Sequence, residues 1–152
     1  AHLAGATVAV LADGAAHPGV AIGPSGGIAP QRAAMRVHAG LAYAARAQTL
    51  RLEAGAADGT AQGKTKRIHR LTLRLLRSSG LKVGPAGGPL DPVPLRSSAT
   101  PMGRQAGPFA GDVEVELDAG FDTEGRVALE QTQPLPCTVL ALMPRVTTSD
   151  GG

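Results

Sequence analysis

Gly59 and Gly63 stand just ahead of Lys64 and Thr65, a grouping that invites comparison with loops that wrap backbone N–H groups around a phosphate. Such a loop needs four residues between its glycines, and this pair encloses three. It also needs a buried strand before it and a helix after it, so that the N–H groups converge on the anion. Leu50 to Glu53 is a poor buried strand, and nucleotide binding is not the favoured reading. The stronger candidate starts at the same lysine. Lys64, Lys66, Arg67, Arg70, Arg74, Arg77 and Lys82 form a run of seven cations without one carboxylate. Cations in a row on a strand can contact phosphates without reading sequence. The interleaved residues are Leu and Thr, so base stacking is not on offer. The preferred reading is a seam between subunits, in which these arginines meet Glu114 or Glu116 of a neighbouring copy. A solvated face and a nucleic-acid contact are the other two readings.

The remaining chemistry is sparse. His2, His17, His38 and His69 are scattered, with no pair at metal-ligand spacing, and are expected to be isolated surface residues. Cys137 lies in an apolar stretch that favours packing over nucleophilic attack. Asp112, Glu114 and Glu116 alternate along a strand-like segment; a hydrolase would use such carboxylates in pairs, but a solvated strand face explains them more simply. We therefore expect no catalytic residues, no metal and no cofactor.

The elements that carry these residues read as short strands. ATVAVLADG (Ala6 to Gly14) runs into an Asp-Gly turn, with Val20 to Ile22 able to pair back. Met35 to Val37 and Leu50 to Leu52 alternate, although Ala44 to Glu53 also suits a helix. Lys66 to Leu76 is open between two geometries. As a strand it puts Leu71, Leu73 and Leu75 on one face and Arg70, Thr72 and Arg74 on the other; as a helix it gives an arginine stripe. The strand is preferred because every other segment is short and bounded by turns. Ser78-Ser79-Gly80 then suits a hairpin into Leu81 to Val83. Residues 85–107, rich in Pro, Gly and Ser, read as a long irregular loop. Asp112 to Gly120 and Gly125 to Gln131 alternate cleanly, Cys137 to Pro144 reads as a more buried strand, and 145–152 as a flexible tail. The sum is one all-β domain over 1–152, an antiparallel sandwich or barrel.

Composition sets the frame. The chain has 152 residues, enough to bury one core, and 43% of them are apolar. It has no Trp, one Tyr and two Phe, so that core must be aliphatic and thin. Its net charge of +3 belongs to the cationic run, because the rest holds eight cations against twelve carboxylates. A single cysteine allows no internal disulfide and suits a reducing compartment. No apolar run is long enough to span a bilayer, so no membrane anchor is expected. The chain opens at Ala1 in a strand-like pattern and is read as a piece of something longer.

Four stretches together resemble a known family: HLAGATVAVLADGAAHP (His2 to Pro18), GLAYAARAQTLRLE (Gly40 to Glu53), GTAQGKTKRIHRLTLRLLRSSGLKVG (Gly59 to Gly84) and GRVALEQTQPLPCTVLALMP (Gly125 to Pro144). They look like the C-terminal part of tail nozzle or tail tubular-type proteins of short-tailed bacteriophages. Domains of this type are often labelled after the ubiquitin-activating-enzyme β-domain, which reflects shape and not activity. The resemblance implies a β-rich structural protein of the virion tail, assembled in the host cytoplasm. It implies a hexameric ring of identical copies, contacts with tail adaptor or tubular proteins and tail fibres, and passage of genomic DNA during ejection. No catalytic residue is carried over. The alternative is a binding module that uses 64–82 for a nucleic-acid backbone or a host surface.

Overall fold

A computed structural model describes residues 2–53, 60–102 and 105–149. Every regular element among them is a strand: β1 (Thr7–Ala12), β2 (Ala15–Ala21), β3 (Val37–Leu41), β4 (Ala45–Gln48), β5 (Thr65–Ser78), β6 (Lys82–Pro85), β7 (Asp91–Pro92), β8 (Phe109–Glu116), β9 (Val127–Gln131) and β10 (Val139–Ser149). They form three antiparallel sheets, ordered β2-β1-β3, β10-β5-β8 and β4-β9-β6-β7. The chain is all-β, as its alternation predicts.

The second and third sheets pack as a sandwich. Ile68, Leu71, Leu73 and Leu75 of β5 and Val115 of β8 meet Val83, Val127 and Leu129 from the facing sheet in one aliphatic core. The β1 sheet has its own smaller cluster, built from Val8, Val10, Ala12 and Ile22. Its first hairpin turns at Asp13 and Gly14, both at positive φ, the backbone that an Asp-Gly pair is suited to. The Asp13 carboxylate also accepts the backbone N–H groups of Met35 (3.0 Å) and Arg36 (2.9 Å), which ties the start of β3 to this turn.

Several expectations need correction. Ala44 to Glu53 is not helical: it supplies the short strand β4, and Leu50 to Leu52 lies outside any strand. β5 and β6 do not form a hairpin, because Ser79-Gly80 carries the chain from one sheet to the other. A Cβ on Gly80 would come within 2.9 Å of Leu135, and its φ is +71°, so the crossover suits glycine alone. Residues 145–149 are not a loose tail. They complete β10, with Arg145 opposite Arg70 and Ser149 opposite Thr65. β10 is also an edge strand with alternating exposure, not the buried strand its apolar run suggested. Of the residues expected to form a long loop, Pro85 closes β6 and Asp91–Pro92 form β7, paired to β6; 103–104 lie outside the described residues.

Candidate interaction surface on the β5 sheet

The cationic run does not lie on one face. Leu71, Leu73 and Leu75 point into the core, which places Arg70, Thr72 and Arg74 on the outer face. His69 is an extra residue in β5: Arg145 pairs with Arg70, while the next residue, Val146, pairs with Ile68. This bulge inverts the alternation. Upstream of it, Lys66 and Ile68 are buried and Arg67 is exposed. Lys64 is half-buried in the turn before β5, Arg77 is exposed at φ +47°, and Lys82 is half-buried on β6. Lys64 leads into a strand and not a helix, so the glycine–lysine grouping lacks phosphate-loop geometry; Gly59 is outside the described residues.

On the outer face, the register sets Arg70 opposite Glu116, Thr72 opposite Glu114 and Arg74 opposite Asp112. Arg74 donates from Nε and Nη2 to the two oxygens of Asp112, both at 2.8 Å, a bidentate fork. Arg70 bridges Glu114 at 3.4 Å and Glu116 at 3.3 Å, and Arg145 of β10 stands 3.9 Å from Glu114. The hydrogen bond from Arg74 holds the Asp112 carboxyl below its ordinary value, and Asp112 in turn raises Arg74. The sequence reading placed Glu114 and Glu116 on a neighbouring copy. The structure supplies both from the adjacent strand of the same chain, because antiparallel pairing of β5 and β8 puts the two charge rows side by side. The ladder is thereby largely neutralised, leaving few free cations here for a phosphate backbone. Beside it, on the same sheet, Leu76 (45% exposed), Leu140 (57%) and Met143 (37%) present apolar surface.

The other candidates are dispersed. His38 and His69 are exposed, and His17 is half-buried within β2. No group of three or more metal-ligating side chains occurs among the described residues. Cys137 packs against the sandwich core, where burial pushes its thiol up. That disfavours a thiolate nucleophile.

A second constellation escaped the sequence reading. Lys66 is 1% exposed, and its Nζ donates to the Thr123 carbonyl at 3.0 Å. Its backbone exchanges two hydrogen bonds with Asp122, at 2.7 and 2.8 Å. Asp122 caps its own turn by accepting the N–H groups of Glu124 (3.0 Å) and Gly125 (3.2 Å). The Glu124 N–H, foremost, holds its carboxyl low, with Gly125, Thr123 and the Lys66 charge adding to the effect. Glu124 in turn engages Arg51 and Arg126. Strict alternation back from Leu71 would send Lys66 outward, so only the bulge could have revealed it. Compared with known proteins, the chain matches no family model and no curated protein.

Proposed function

We propose that this chain is a structural subunit of a bacteriophage tail, of the nozzle or tube type, which acts by assembling into a ring that the genome crosses. The observation that carries the reading is the outer face of the β5 sheet. It combines a self-neutralised charge ladder with exposed Leu76, Leu140 and Met143, and both of its border strands, β8 and β10, have one unpaired edge. Free edges and apolar patches are surfaces that proteins normally cover. The resemblance of the four sequence stretches supplies the identity of the assembly.

The test is particle mass by light scattering, at low and physiological salt, with and without duplex DNA. A ring of several copies that persists without DNA is expected. Leu140→Lys with Met143→Lys should shift it towards monomer while keeping the β-sheet circular dichroism of the parent, because both side chains are already solvent-exposed. A monomer that binds duplex DNA with a steep loss in salt would overturn the proposal in favour of a nucleic-acid module.

A further inference from the structure

Above Lys66, at one end of the sandwich, the Pro85–Gly88 turn and the 117–126 segment enclose a cleft of about 300 Å³. That volume is at the lower end of small-ligand sites, about 300–1,000 Å³. Both walls are loops whose form comes from local sequence. Gly88 donates to the Pro85 carbonyl at 3.1 Å with Gly87 at φ +82°, the geometry of a type II turn. The opposite wall is held by Asp122 and its two backbone donors. Neither wall is part of the assembly surface on the outer face of β5.

Three properties of the lining restrict what fits. Its charges balance, with Lys66 and Arg126 against Asp118 and Asp122, so a free anion or cation gains little net attraction. Donors and acceptors occur together. Arg126, anchored to Glu124 at 2.6 Å, keeps 40% of its side chain exposed as a donor, while exposed Asp118 offers an acceptor. Finally, Phe121 lines the cleft while 55% exposed, in a chain with only three aromatic residues. An aromatic ring left open beside paired donors and acceptors is suited to a molecule with one apolar C–H face and a rim of hydroxyls. Glycines at positions 87, 88, 120 and 125 let such a molecule approach the backbone closely.

We propose that this cleft is a binding subsite for a small neutral saccharide, with the sugar ring packed on Phe121 and its hydroxyls shared between Asp118 and Arg126. The site is independent of the assembly reading, and either can fail alone. The experiment titrates the full chain with glucose, galactose, N-acetylglucosamine and maltose, followed by NMR shifts of Phe121, Gly87 and Gly88. At least one sugar should saturate with a Kd of about 1–10 mM, modest because the subsite is small and open. Phe121→Ala should weaken binding about tenfold, and Asp118→Asn should weaken it less. Tyr43→Ala, which removes an exposed aromatic outside the cleft, should change nothing. An unchanged thermal midpoint in Phe121→Ala separates loss of binding from loss of fold. No saturation by any of the four sugars, binding indifferent to Phe121→Ala, or preferential binding of inorganic phosphate would each overturn the proposal.

Discussion

A lysine buried to 1% exposure, as at Lys66, is an energetic problem that its surroundings must solve. The solution is local: one hydrogen bond to the Thr123 carbonyl, the charge of Asp122 nearby, and Gly125 packed where a Cβ would crowd the lysine stem at 3.2 Å. The long alkyl chain also fills volume at the end of the core. Lys66→Ala is therefore expected to lose about 2–4 kcal/mol of stability, from the cavity and the lost partner of Thr123. Lys66→Met keeps most of the volume and removes the charge that must be desolvated, so it should stay within about 1 kcal/mol of the parent. Urea unfolding of the two variants reads the difference. Equal losses would mean that the ammonium, and not the packing, is what the site requires.

Among the elements, β5 organises the molecule. Its 14 residues pair with β10 on one side and β8 on the other, and it contributes to the core, the charge ladder and the floor of the cleft. The His69 bulge allows one strand to serve all three. Downstream of it the leucines face inward and Arg70 and Arg74 outward; upstream, Lys66 and Ile68 turn in. Deleting His69 should restore strict alternation and leave both halves on their present faces, with Lys66 and Ile68 inward and Arg67, Arg70 and Arg74 outward. If the deletion instead expels Ile68, the loss is about 1.5–3 kcal/mol from its burial alone. His69→Ala keeps the extra residue and should be nearly silent, since the side chain is exposed. Thermal melts of both variants check this, and a deletion far less stable than the alanine variant would refute the placement of the extra residue at His69. The cross-strand arginines matter less to stability. Exposed pairs such as Arg74–Asp112 are screened by salt and favour pairing more through register than through free energy.

At the scale of the whole molecule, acid should be the effective destabiliser. Asp13 is lowered first by the Arg36 N–H and then by that of Met35; Asp112 is lowered by Arg74, and Asp122 by the Glu124 N–H. A carboxyl held low in the folded state binds its proton more readily once unfolded. Each of these groups therefore contributes stability above its unfolded pKa, about 3.9 for aspartate, and that contribution disappears as pH falls through the folded value. The thermal midpoint should be level from neutrality to about pH 5 and fall below about pH 4. Asp122→Asn should flatten the fall, at the cost of a lower plateau, because an amide oxygen is a weaker acceptor for Glu124 and Gly125. The three groups sit in the β1 hairpin, the β5 sheet and the cleft wall, so the acid transition tests all three regions at once.

Much of the architecture was legible in single residues. Asp13-Gly14 marks a hairpin, alternating Val, Leu and Glu mark β8 and β9, and three aromatics foretell an aliphatic core. These signals are local, since backbone sterics and period-two burial act over a few residues. The strand character of β5 and the outward facing of Arg70 and Arg74 belong to the same class. Which sheet each strand joins was decided only by tertiary packing, as were the crossover at Ser79-Gly80, the same-chain origin of the carboxylates facing Arg70, and the continuation of β10 to Ser149. The burial of Lys66 beside Phe121 and Asp122 has the same origin. A bulge has no signature in composition, and one extra residue reverses every side chain beyond it, so the contents of the cleft follow from how β5 pairs and not from what its sequence contains.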